Sequence, residues 1–154
     1  MSLLRHTLAT LAYRAGKAVR DLPAEAAEFR ADAGSRSPAE ILAHMGDLLD
    51  WAYAMASGAP VWRNSIPLPW PQEVARFFSA LEKFDGYLAS GAPVHSTEER
   101  LFQGPVADAL THTGQLALLR RLAGRPMRGE NYFKANITTG VVGAGQPPPV
   151  LEFE

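Results

Sequence analysis

Three side chains in this sequence have the types and spacing to do metal chemistry. Asp108 and His112 lie four residues apart, so on a helix a carboxylate and an imidazole share one face, one turn apart. The third is His44, on the apolar stripe of an earlier helical segment. Two imidazoles and a carboxylate suit divalent Zn, Ni or Fe. Three protein ligands leave positions for water or substrate, as a catalytic site requires. A metal held there could lower the pKa of a bound water or thiol and stabilise developing negative charge. Asp47, three residues after His44, and Gln115, three after His112, are the side chains placed to orient an imidazole by hydrogen bonding.

Plainer readings of the same residues stand beside this one. Asp108 falls in the first turn of its helix, where a carboxylate favours the helix dipole without any metal. His44 and His112 could each be a core histidine whose ring nitrogens are satisfied by hydrogen bonds. His6 lies beside the stripe of the first helix, as a surface or boundary residue, and His95 sits in a loop after Pro93.

Four amphipathic helices must position these groups. The first covers about 3–22, with Leu4, Leu8, Leu11, Ala15, Ala18 and Leu22 as its stripe, and Pro23 stops it. The second starts at Ser37-Pro38-Ala39-Glu40, a capping serine, a first-position proline and a capping-box glutamate. It runs to about Ser57, with Gly58 as its stop and a stripe of Ile41, His44, Leu48, Trp51 and Met55. The third covers about 72–89 on an aromatic stripe of Val74, Phe77, Phe78, Leu81, Phe84 and Leu88, which reads as core. The fourth restarts the chain at Gly104-Pro105 and ends at Ala123, with Gly124 as its C-cap. Its stripe, Asp108, His112, Gln115, Leu119 and Leu122, turns polar groups inward in its first half, and buried polar groups need partners.

Between the second and third helices, residues 58–71 carry four prolines with Trp62 and Trp70. The reading favoured is a surface crossover pinned by two aromatics; the sharper alternative is a lid over a site. Ser96-Thr97-Glu98-Glu99 could start a short helical turn. Arg120 and Arg121 suit the C-terminal dipole of the last helix. No strand pattern is visible. The fold expected is all-α: a four-helix bundle over about 3–124. Residues 125–154 are rich in glycine and proline but retain Tyr132, Phe133, Ile137, Val141 and Val142, so they are expected to form an ordered non-helical arm packed on it.

The whole chain bounds the function. Its 154 residues suit a single domain. A net charge of -1 offers no basic excess for nucleic acid, and no apolar run is long enough to span a bilayer. The absence of cysteine removes disulfides, thiolate ligands and a cysteine nucleophile, and fits a cytoplasmic setting. The basic, acid-free first twenty residues have the composition of a transit peptide, but their helical periodicity makes them the first helix. No nucleophile elbow, phosphate loop or dinucleotide fingerprint occurs. A di-iron bundle would need Glu-x-x-His pairs that these helices do not offer.

Two segments, Ile41-Leu-Ala-His44-Met-Gly-Asp47-Leu-Leu-Asp-Trp51 and Asp108-Ala-Leu-Thr-His112-Thr-Gly-Gln115, resemble the DinB-like superfamily of bacterial four-helix bundles. The resemblance spans about 1–124. It implies a divalent metal held by three histidines, one from the second helix and two from a His-x-x-x-His on the last. His44 matches the first and His112 the last, whereas position 108 is Asp where the family usually has His. The run Gly129-Glu130-Asn131-Tyr132 is similar to a subgroup feature. Characterised relatives conjugate or isomerise small electrophiles with a low-molecular-weight thiol whose thiolate the metal activates. The expectation is a cytoplasmic metal-dependent transferase or hydrolase acting on a small molecule. The alternative is a non-catalytic bundle, binding a small ligand or acting as a homodimer, that uses the polar cluster as a hydrogen-bond network.

Overall fold

Helical stripes at three- and four-residue steps have to find apolar faces to bury against, and here they find each other. The computed structural model describes residues 2–153. Helix α1 spans Ser2–Val19, α2 Pro38–Ser57 and α3 Trp70–Ala89. The last helical run comprises α4 (Glu98–Leu101), a π turn (Phe102–Val106) and α5 (Ala107–Leu122). Helix α2 packs on α3 and α5, and α1 packs on α5 and α3. The ring order is therefore α1–α3–α2–α5, which makes α1 and α2 diagonal partners. This four-helix arrangement is the expected fold class.

The stripes of α1 and α3 are buried as read except at Val74, which is half-buried: Leu8, Leu11, Phe77, Leu81 and Phe84 are fully enclosed. Each such side chain stabilises the fold by up to about 1.5–3 kcal/mol. Helix α1 ends ahead of Pro23 because Asp21 turns left-handed, at φ 59°. Leu22 still packs in the core, and its carbonyl accepts the Trp70 indole N–H at 2.9 Å. Trp70 opens α3 rather than belonging to the crossover. Ser37 caps α2 by accepting the Glu40 N–H at 3.3 Å, while the Glu40 carboxylate is engaged by Arg30.

The last helix departs from expectation in two ways. Gly104-Pro105 does not restart the chain. Thr97 caps the run by accepting the Arg100 N–H at 3.2 Å, and the missing proline N–H is absorbed in the π turn, the wider winding that takes up a break in the i→i−4 ladder. The buried face of α5 is Ala109, Thr113, Leu116, Leu119 and Arg120. It is rotated from the expected stripe, so Gln115 and Leu122 are exposed and Asp108 and His112 lie at the edge of the interface.

Arg120 is buried. Its guanidinium donates to the carbonyls of Lys17, Ala18 and Arg20 at the end of α1, at 2.8–3.3 Å, and to that of Arg125. These are carbonyls that a helix terminus leaves without partners. The arm after residue 124 is ordered. It contains a two-stranded antiparallel pair that no sequence pattern announced, β1 (Gly129–Glu130) against β2 (Glu152–Phe153). Val142 is buried in the main core. No described helix is long and apolar enough to cross a membrane.

Candidate metal centre

The neighbouring of α2 and α5 in the bundle brings together residues 64 positions apart in the chain. His44 Nε2 stands 3.4 Å from Asp108 Oδ2, and His112 Nδ1 stands 3.2 Å from Asp108 Oδ1. The two imidazole centroids are 4.8 Å apart, with planes inclined at 58°. One donor atom from each of the three residues can be chosen so that all lie within 4.8 Å of one another.

This donor set fits a metal ion. Ligands about 2.1 Å from a tetrahedral centre sit about 3.4 Å from each other, close to the His44–Asp108 separation. That separation is long for a hydrogen bond. His112 Nδ1 is 2.8 Å from the Asp108 carbonyl, and because a carbonyl only accepts, Nδ1 carries the proton. Nε2 is left facing away from this bond, and the ring orientation is fixed by its own backbone in the way metal-bound histidines are held. Burial, joined by the charges of His112 and Arg36, holds the His44 pKa below the ordinary imidazole value, against the opposing pull of Asp108. His44 is therefore neutral at neutral pH, as a ligand must be. The side chains of His44 and His112 are 20% and 12% exposed and that of Asp108 44%, so the cluster is sheltered yet open on the carboxylate side.

The two residues expected to orient the imidazoles do not do so. Asp47 accepts the Ser65 N–H at 2.8 Å and the Ser65 hydroxyl at 2.6 Å, and it pairs with Arg76 at 2.6 Å. Its helical position points it at α3 and the crossover rather than at His44. Arg76 also donates to the Ala43 carbonyl; a Cβ at Gly46 would collide with its guanidinium, so glycine is what lets the arginine lie against α2. Gln115 is exposed and forms no hydrogen bond among the described residues. His6 is exposed, 3.2 Å from the Thr139 hydroxyl. The backbone N–H of His95 donates to the Ala56 carbonyl, and its ring lies against Gly58.

Two further residues border the centre. Trp62 packs edge-on against His44 at 5.8 Å and against Trp51 at 5.7 Å, so the proline-rich crossover forms one wall of the site. Its prolines Pro60, Pro67 and Pro69 marked the segment as extended, but only the fold shows where Trp62 lands. Arg36, just before the α2 cap, lines a cleft with Ser35, Ile41, His112, Gln115, Leu118 and Leu119. No family model, curated protein or solved structure matches this chain.

Proposed function

We propose that this chain is a divalent-metal-binding protein of the DinB-like type, acting as a metal-dependent transferase or hydrolase on a small molecule. The observation that carries this reading is the convergence of His44, Asp108 and His112, from two helices, on one partly open point. A zinc, nickel or ferrous ion there would supply Lewis acidity and an activated water or low-molecular-weight thiol. The chain's own residues hold and shape the place: His112 is locked by the Asp108 carbonyl, His44 is kept neutral by burial, and Trp62 shields the His44 ring. The aspartate lowers the site's charge relative to three histidines and favours harder metals than an all-imidazole set would.

Metal analysis of protein purified without chelator, followed by zinc thermal shifts of the wild type and His112→Ala, tests the reading. The expected result is close to one equivalent of metal and a zinc-dependent rise in Tm that the variant lacks, since a ligand selective for the folded state must stabilise it. No metal, with an unchanged Tm, would sink it.

A second reading has its own observation. The Asp108 carboxylate reaches both imidazoles, at 3.4 and 3.2 Å, and could serve as the centre of a metal-free hydrogen-bond network in a non-catalytic bundle. This reading predicts that saturating zinc leaves the melting curve where it was.

A further inference from the structure

The cleft beside His112 has a volume of about 360 Å³, within the range of small-ligand sites of roughly 300–1,000 Å³. Its walls divide by chemistry. Ile41, Leu118 and Leu119 give an apolar side, Gln115 gives an amide, and Arg36 is the only Asp, Glu, Lys or Arg among the cleft's lining residues. Both polar side chains are uncommitted. Neither Arg36 nor Gln115 has a side-chain hydrogen bond or ion pair among the described residues, so both are free to meet a ligand, as other arginines such as Arg63 and Arg121 also are on their own surfaces. The charge of Arg36 is nevertheless close enough to His44 to disfavour its protonation.

We infer that this cleft binds a small organic carboxylate, with Arg36 pairing the carboxylate, Gln115 donating its amide N–H, and Ile41, Leu118 and Leu119 holding an aliphatic stem that leads to the His44–Asp108–His112 cluster. A guanidinium presents paired donors that match a carboxylate in a bidentate fork. A single arginine with one neutral amide balances one negative charge; a phosphomonoester, near −2 at neutral pH, would be left under-neutralised. The apolar wall rejects a ligand that is polar throughout, because its groups would be desolvated without partners. The inference rests on the metal reading in one respect: the metal reading makes the bound carboxylate a substrate rather than a bystander.

The test titrates metal-free protein with hexanoate, following backbone amides by proton–nitrogen correlation NMR, with hexanamide and hexyl phosphate as companion probes. The expected result is saturable shifts at Ser35, Arg36, Ile41, His112 and Gln115, no binding of hexanamide, and weaker binding of hexyl phosphate. Arg36→Ala should weaken hexanoate roughly tenfold or more and Arg36→Lys less, since lysine keeps the charge and loses the fork. Arg36 is exposed and unpaired, so both variants should keep the wild-type fold, which the same spectra report. Hexanoate binding Arg36→Ala as tightly as wild type, or shifting amides elsewhere, overturns the inference; tighter binding of hexyl phosphate overturns the carboxylate class. Zinc is titrated separately into the same sample. Hexanoate binding without zinc binding means that the metal reading has failed and the carboxylate cleft stands; zinc binding without hexanoate binding means that the cleft has failed alone.

Discussion

At Asp108 one residue decides between the two readings of the site. Its carboxylate is nearly half exposed, and its backbone carbonyl fixes His112. Asp108→Ala leaves the backbone carbonyl in place and removes only the carboxylate, so calorimetric zinc affinity should fall by at least the roughly ten- to hundredfold that losing an outer-shell partner costs, while the fold persists. Asp108→His should restore or tighten zinc binding, because imidazole suits zinc well. If neither change alters zinc affinity, the carboxylate is not a ligand. His44 gives the pH counterpart. Burial first, then the charges of His112 and Arg36, lower its pKa from 6.5, so as pH falls the unfolded chain takes up this proton before the folded one does. The associated stability is complete above about pH 6.5 and is lost as pH falls from there to the lower folded pKa. Urea unfolding of metal-free protein should show less stability at pH 5.5 than at pH 7.5, with a smaller difference in His44→Gln. An equal difference in the variant would place the pH dependence elsewhere.

Helix by helix, what could be read from the sequence was what depends on one face at a time. Leu4 to Leu22 and Phe77 to Leu88 declared their buried sides because leucine and phenylalanine at helical spacing have only one place to go. The Ser37 start and Gly58 stop declared themselves because capping is local chemistry. Features set by two elements at once stayed hidden. Gly104-Pro105 looks like a break, but α4 and α5 both pack on α2, and a π turn joins them. Asp47 sits three residues from His44, yet the approach of α3 supplies Arg76 and claims it. Of the site, the triad was legible from residue types and helical spacing. Trp62 and Arg36 were not, because loop residues carry no period. Gly46 shows how an element contact outweighs a local preference. Alanine is the better helix former by about 1 kcal/mol, but its Cβ would strike the Arg76 guanidinium and pull it from Asp47 and the Ala43 carbonyl. Gly46→Ala should therefore lower the unfolding free energy in urea despite its propensity gain; a more stable variant would show that Arg76 moves aside freely. Arg120→Ala should cost more, on the order of 2–4 kcal/mol by the same assay, because it strips a buried charged donor from the last carbonyls of α1.

Across the whole molecule, the arm closes the bundle on the side of α1, and a buried charge cluster is what fastens it. Glu130, fully enclosed, accepts from the Tyr13 hydroxyl at 2.5 Å and from Lys17 at 2.7 Å. Lys17 also reaches Glu152 at 2.7 Å, on the opposing strand. Two residues of one helix thereby grip both strands of the small sheet. Burial, then the bond to Glu130, raises the Tyr13 pKa, so the phenol stays protonated and remains a donor across the physiological range. The bond from Lys17 lowers the Glu152 pKa from 4.5, so the hold that this carboxylate adds is complete above about pH 4.5 and is lost as pH falls through its lowered value. Glu130 matters more, because removing one partner from a buried pair strands the other. Glu130→Ala leaves the Tyr13 hydroxyl without an acceptor and Lys17 with Glu152 alone. The expected loss is about 3 kcal/mol, the low end for a broken buried pair because Glu152 remains. Trypsin reads the same event locally, since Arg128 and Lys134 flank the β1 strand and should be cut faster once the strand is released. The arm carries no residue of the His44–Asp108–His112 cluster, so zinc binding in Glu130→Ala should match wild type at temperatures where the variant is folded. Loss of zinc binding with the bundle intact would mean that the arm shapes the metal centre as well as closing the fold. Unchanged stability and unchanged cleavage would mean that packing of Val142 and its neighbours, not this charge cluster, holds the arm in place.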